Sequence, residues 1–375
     1  MDIENRFMAR CIFLAGHGRA CTAPNPMVGA VVALDGQIIG EGFHQRHGGA
    51  HAEVNAVEAV AEPSQLRKAT LYVNLEPCSH FGKTPPCTEL IIRTGIPRVI
   101  VATEDPFADT AGRGINILRQ AGVEVLTGMM RAEAEELNRY FLTAHRLHRP
   151  YIILKWAQSQ DGFIDKHRTN ALEKPVKLSS TLTRMEVHKL RSEVQAIMVG
   201  SNTALLDNPS LGLHHWSGEA PLRVLTDRRR RIPSDYRIFN NEAETVVFPE
   251  YFLKEDVVPP KKAVVHTISD SAPLKPSSST CEPLETILST LYSRHIHSLL
   301  VEGGAQLHRS FIEAGLWDEI IIETAPFCLH EGVKAAPAGN VKKLNSQKIP
   351  FFPRNNEKQA TITKYRHFDE SCSIH

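Results

Sequence analysis

Short apolar runs alternate with stretches of helical periodicity along the whole chain, and the alternation breaks once, in the polar, proline-terminated stretch at residues 146–150. That pattern specifies a sheet flanked by helices. The 375 residues, at about 100–200 residues per domain, accommodate two such units. The expected fold is therefore α/β in two domains, residues 1–146 and 150–368. In the first, residues 27–34 and 37–42 flank Asp35-Gly36, a two-residue hairpin turn. A helix is expected from His51, where Val54, Val57 and Val60 recur at helical spacing before Pro63. Strands at 70–75, 98–103 and 123–126 then alternate with helices at 88–94 and 114–120. In the second domain, strands are expected at 151–155, 196–200, 222–226, 298–302 and 319–324, and helices at 182–193, 284–294 and 305–314. The Ser- and Pro-rich residues 269–283 read as a surface loop.

Lys plus Arg is 43 and Asp plus Glu 42, a net charge of +1. A chain so balanced is not built to neutralise many phosphates, which argues against a nucleic-acid partner. No window approaches the roughly eighteen apolar residues of a membrane helix, and Asp2 and Glu4 stand where a signal peptide carries basic residues. Seven cysteines in a chain this long do not form a disulfide framework. The expected setting is a reducing cytoplasm, with no membrane and no nucleic-acid partner. A homo-oligomer is left open.

Chemistry concentrates in the first domain. His51-Ala52-Glu53 opens a helix, Pro77-Cys78 ends a strand, and Cys87 follows after eight intervening residues, just before another helix. One imidazole and two thiolates are three good zinc ligands, and a fourth position left to water distinguishes a catalytic site from a closed structural one. One zinc per chain is expected. Glu53, two residues from His51, can reach the same cavity and move a proton without ligating the metal. His80 is the obvious residue that could close the site. Taken singly, Cys11, Cys21, Cys281, Cys328 and Cys372 read as small core hydrophobes, and His44 and His47 as solvated loop histidines.

The order H-x-E, then P-C and a second Cys, is the signature of zinc deaminases of nucleobases. Here eight residues separate the two cysteines rather than two. Pro24-Asn25-Pro26-Met27-Val28-Gly29, His51-Ala52-Glu53 and the string from Leu75 to Cys87 (LEPCSHFGKTPPC) resemble the deaminase half of the bifunctional riboflavin-biosynthesis deaminase/reductase family. The resemblance implies a cytidine-deaminase-like α/β/α domain. It also implies as substrate a diaminopyrimidinone carrying a 5-phosphoribosylamino group, with Asn25, Glu76, His80, Lys83 and Thr84 lining its pocket.

In the second domain Lys155 with Ser159, Asp161 and Gly162, then GSNTALLDNP at 200–209, then Val301-Glu302-Gly303-Gly304 before a helix, resemble the reductase half of that family. The implied fold is dihydrofolate-reductase-like and the implied cofactor NADPH. Gln158, Lys177, Thr203, Asp207 and Gly304 fall at cofactor-binding positions, and Lys155, Arg191, Leu211, His214 and Glu302 at substrate-binding ones. Two residues depart from the family pattern. Lys177 stands where the family has Trp, and His214 where it has Arg, which a histidine cannot replace as a bidentate fork to phosphate. Arg191, His215 or Arg223 could compensate. Arg228–Arg231 reads as a solvated basic turn, with the 2′-phosphate of NADPH as the sharper alternative.

The expected activity is thus zinc-dependent hydrolytic deamination followed by NADPH-dependent reduction of the ribosyl side chain to ribityl. Three alternatives stand beside it: a nucleoside or tRNA deaminase with a substrate-binding C-terminal domain, a deaminase carrying an inactive reductase-like half, and a non-enzymatic zinc-stabilised scaffold.

Overall fold

The computed structural model describes residues 3–80, 85–106, 111–227, 229–248, 263–265, 282–339, 341–350 and 359–367. The chain divides into two compact units, Met1–Arg149 and Pro150–His375, each an α/β structure.

In the first unit the order is α1 (Ile3–Ala15), β1 (Gly29–Leu34), β2 (Gln37–Phe43), α2 (Ala52–Glu58), β3 (Thr70–Val73), α3 (Cys87–Thr94), β4 (Arg98–Val101), α4 (Arg113–Gln120), β5 (Glu124–Thr127), α5 (Arg131–Leu137) and α6 (Arg139–Leu147). The strands form one sheet in the order β2-β1-β3-β4-β5. β2, β1 and β3 pair antiparallel, while β3, β4 and β5 run parallel. Successive strand residues face opposite sides of the sheet, and β1 is apolar on both. Ala30 and Val32 pack with Ala56 of α2, Ile91 of α3 and Leu118 of α4. Val31 and Ala33 pack with Phe7, Met8 and Leu14 of α1 and Ala134 of α5. The result is a three-layer α/β/α unit whose zinc-ligand candidates lie at element ends.

Helices α1, α5 and α6 are absent from the expectations drawn from sequence. For α1 the signal is present, since Phe7, Met8, Cys11 and Leu14 form a buried stripe at helical spacing. For α5 it is weak, with Ala134 as its one buried residue.

The second unit contains β6 (Tyr151–Gln158), β7 (Phe163–Asp165), α7 (Thr181–Glu193), β8 (Ala196–Gly200), α8 (Ser201–Asp207), β9 (Leu222–Thr226), β10 (Thr245–Phe248), β11 (Ala263–Val265), α9 (Glu282–Ser293), β12 (Ser298–Glu302), α10 (Ala305–Glu313), β13 (Glu319–Thr324), β14 (Val333–Lys334), β15 (Val341–Pro350) and β16 (Gln359–His367). Nine strands form one sheet in the order β11-β10-β9-β8-β12-β6-β13-β16-β15. All neighbours from β11 to β13 are parallel. The last two strands run antiparallel. β6 and β12 sit mid-sheet and are apolar through Tyr151–Leu154 and Leu299–Val301, as strands covered on both faces are. Leu154, Met198, Val224 and Val301 pack against Leu288 and Leu291 of α9 and Phe311 of α10.

Strands β8, β9, β12 and β13 have the expected bounds. The pair β15–β16 was not foreseen, because VKKLNSQKIP is polar and largely exposed and its partner supplies the ladder. Residues 282 and 283, assigned to a loop, begin α9, and residues 269–281 of that loop lie outside the described residues. Among the described residues no helix is long and apolar enough to cross a membrane.

Candidate active sites in the two units

The N-terminus of α2, the exit of β3 and the N-terminus of α3 converge on one point. His51 caps α2 in extended conformation, and Cys87 is the first residue of α3. The His51 Nδ1 lies 3.5 Å from the Cys78 Sγ and 3.3 Å from the Cys87 Sγ. A tetrahedral zinc with N and S bonds of about 2.1 and 2.3 Å would hold such donors about 3.6 Å apart, so the donor set fits that metal in both chemistry and spacing. Among the described residues no fourth His, Cys, Asp or Glu joins the cluster. His80 is exposed and stands apart from it, which disfavours a closed structural site.

The Cys87 N–H donates to the Cys78 Sγ at 3.2 Å. The hydrogen bond from the Cys87 side chain, with His51 and the Cys87 N–H adding to it, outweighs burial and pushes the Cys78 thiol down, while the same bond and burial push the Cys87 thiol up. Glu53 is 3% exposed. Burial, with Cys78 adding to it, raises its carboxyl above the ordinary value.

The other pocket positions separate in the structure. The Asn25 Nδ2 donates to the His44 Nε2 at 3.2 Å, and the His44 Nδ1 donates to the Ala50 carbonyl at 2.9 Å. His44 is therefore no solvated loop residue. It is 3% exposed, with its ring edge-on to His51 at 5.8 Å, whereas His47 is exposed. Glu76 accepts the backbone N–H groups of Asp105, Gly112, Gly114 and Ile115 at 2.8–3.2 Å. Four donors occupy its carboxylate, so Glu76 holds the start of α4 beside the Pro77-Cys78 turn and has no oxygen left for substrate. Gly114 permits that approach, because a Cβ there would lie 2.3 Å from the Pro77 carbonyl oxygen. Lys83 and Thr84 lie outside the described residues.

Two residues with no local signal complete this framework. Asn74 accepts from the Gly29 N–H and donates to the Met27 carbonyl, and Asn138 accepts from the Met27 N–H. Together they fix the loop that carries Asn25. Cys11 is buried as expected, but Cys21 and Cys328 are exposed, and Cys281 and Cys372 lie outside the described residues.

In the second unit a cavity of about 750 Å³ opens over the C-terminal ends of β6, β8 and β12, the end at which parallel sheets place their ligands. Lys177, Thr203, Asp207 and Gly304 line it, as do Lys155, Arg191, Leu211 and Glu302. Gly303 and Gly304 have φ of 101° and 82°. A Cβ on Gly303 would come within 2.9 Å of the Thr203 side chain, so the pair both turns and makes room. The Arg191 Nε and Nη2 donate to the two carboxylate oxygens of Glu302 at 2.9 and 2.6 Å.

Two expected positions do not line this cavity. Gln158 accepts from the Trp156 Nε1 at 2.8 Å. His214 faces a neighbouring cleft with Glu242 and forms a 2.6 Å hydrogen bond with Ser210. Arg223 cannot compensate for it, being fully buried with its guanidinium on the Ile238 carbonyl and Asn240. Arg231 reaches the Asn202 side chain at 3.0 Å, and Arg228 lies outside the described residues. Arg168 was not singled out by sequence. It pairs with Asp207 and Asp165 and donates to the Leu206 carbonyl, tying the segment after β7 to α8 at the cavity wall.

Comparison with known proteins finds a match for each unit. Residues 1–103 match the cytidine and deoxycytidylate deaminase zinc-binding region, and residues 150–354 match the RibD C-terminal domain. The riboflavin biosynthesis protein RibD of Aquifex aeolicus is 38% identical over 94% of this chain and 99% of its own length. That of Escherichia coli is 37% identical over 86% of this chain and 88% of its own. A diaminohydroxyphosphoribosylaminopyrimidine deaminase/5-amino-6-(5-phosphoribosylamino)uracil reductase from Thermotoga maritima superimposes with a TM-score of 0.82 at 34% identity, covering 97% of this chain and 98% of that one. Fold and sites define a two-domain enzyme, a zinc-dependent deaminase joined to an NADPH-dependent reductase. The chain belongs to the RibD family of riboflavin biosynthesis.

Proposed function

We propose that residues 1–146 deaminate 2,5-diamino-6-(5-phosphoribosylamino)pyrimidin-4(3H)-one, and that residues 150–368 then use NADPH to reduce its ribosyl side chain to ribityl. The observation that carries the first half is the His51–Cys78–Cys87 cluster with Glu53 buried beside it and no fourth donor among the described residues. These three residues would hold zinc, which supplies Lewis-acid activation of water when bound. Glu53 takes one proton of the attacking water to the ring nitrogen and then carries the second to the amine, so that the C–N bond breaks and ammonia leaves. Asn25 and His44 supply polar groups beside His51.

In the second half the cavity must hold the nicotinamide against C1′ of the opened ribose, and the hydride comes from the cofactor. Gly303-Gly304 at the start of α10 suits a phosphate approaching backbone N–H groups, with Thr203 and Asp207 on the same wall. Lys155 and the Arg191–Glu302 pair form the substrate side. The substrate is a small molecule in the cytoplasm, with no nucleic acid or membrane involved.

The test supplies the diaminopyrimidinone phosphate and follows ammonia release and NADPH oxidation separately. Both should occur in that order. Ammonia release without NADPH oxidation at any substrate concentration would leave a deaminase with a reductase-like remnant.

A further inference from the structure

Asn138 stands between α5 and α6, C-capping one helix and N-capping the other. An asparagine at an N-cap ordinarily spends its side chain on the backbone N–H groups of the first helical turn. Here the side chain makes no capping bond. It is 2% exposed and turns instead to a residue 111 positions earlier, its Oδ1 accepting the Met27 N–H at 2.8 Å and its Nδ2 donating to the Met27 carbonyl at 2.9 Å. The Asn74 Nδ2 donates to the same carbonyl at 3.0 Å, while its Oδ1 accepts the Gly29 N–H at 2.8 Å. Two buried side-chain amides thus pair with this loop backbone as a neighbouring strand would, and Met27 is held at both its N–H and its carbonyl.

Asn25 hangs from that fixed point, two residues away. Its Nδ2 donates to the His44 Nε2, the His44 Nδ1 is held by the Ala50 carbonyl, and the His44 ring stands edge-on to His51. The chain of contacts that starts between α5 and α6 therefore ends at the metal-ligand cluster. Apolar packing accounts for little of this junction, since α5 buries Ala134 alone. We infer that Asn138 is a positioning residue of the deaminase half: by clamping Met27 it sets the Asn25 amide against His44 at the rim of the substrate site. The inference rests on the deaminase reading of the first unit, and the experiment separates the two.

The full chain is compared with Asn138→Ser, Asn138→Ala, Asn25→Ala and the Asn25→Ala/Asn138→Ser double variant. Serine keeps a good helix cap but is too short to reach Met27, whereas alanine gives up both. For ammonia release from the diaminopyrimidinone phosphate, kcat/KM should fall at least about 10-fold in both Asn138 variants, because small misplacements beside reacting groups are costly. The double variant should be no worse than Asn25→Ala alone, as expected of residues that act through one another. Zinc content, and NADPH oxidation with the deaminated intermediate, should stay at the parent's level. In nitrogen NMR spectra of the histidine rings, Asn138→Ser should move the His44 Nε2 resonance toward its position in Asn25→Ala. Parent-like deamination in Asn138→Ser, additive losses in the double variant, or zinc lost together with activity would overturn the role. If the parent releases no ammonia, the deaminase reading fails instead. The clamp is then judged by the His44 resonance, and a resonance unmoved in Asn138→Ser overturns it.

Discussion

Arg191 of α7 and Glu302 at the end of β12 meet through two parallel hydrogen bonds of 2.9 and 2.6 Å, with side chains 14% and 15% exposed. Burial alone would raise the Glu302 carboxyl, but Arg191 outweighs it and holds it below the ordinary value. Removing one member of such a pair leaves the other charge stranded. Arg191→Ala should destabilise the second unit by about 3–5 kcal/mol, and adding Glu302→Gln should recover much of that. Urea unfolding of the two variants measures it, and a single variant as stable as the parent refutes it.

Zinc content is expected to follow the three-donor cluster. The Cys87→Ser variant should lose most of its metal and its ammonia release, because a serine hydroxyl is a poor replacement for a thiolate on zinc. Full zinc retention by that variant would move the site elsewhere.

For Glu53→Gln, zinc should stay bound while deamination falls by at least about 100-fold, the scale of a positioned acid–base group. Near-normal ammonia release would assign the proton transfer to another residue.

A pH effect is expected from His308, which is 1% exposed, donates from Nε2 to the Val301 carbonyl at 3.1 Å and is pushed by burial down to about 4 from 6.5. Because its folded value is the lower one, the unfolded chain binds the proton more tightly. Stability is therefore lost as pH falls from 6.5 toward 4, by about 3 kcal/mol for the full shift. Urea midpoints of the parent and His308→Gln between pH 7.5 and 4.5 test this. Identical slopes would exclude His308 as the source.

The two activities should separate. Glu53→Gln should still reduce the deaminated intermediate when it is supplied directly. Asp207→Ala should release ammonia normally yet oxidise NADPH poorly, since it removes a cavity wall residue and a partner of Arg168. Loss of both activities in either variant would show that the halves depend on one another.

The cluster of His51, Cys78 and Cys87 was legible in the sequence because each residue sits at the end of an element that apolar periodicity had already located. Strands β8, β9, β12 and β13 were legible for the same reason, as short apolar runs bounded by breakers. Periodicity is a local property, and it says nothing about which side chains share a partner. Glu76 looked like a pocket residue until four backbone N–H groups from residues 105–115 were seen to fill its carboxylate. His44 looked solvated until Asn25, Ala50 and His51 closed around it. The polar strand β15 had no signal of its own, since its hydrogen bonds are supplied by β16. Sequence alone determined the donor types, the alternating elements and the two α/β units. Only tertiary structure decided which polar groups were already satisfied, because hydrogen-bond satisfaction depends on contacts between residues far apart in the chain.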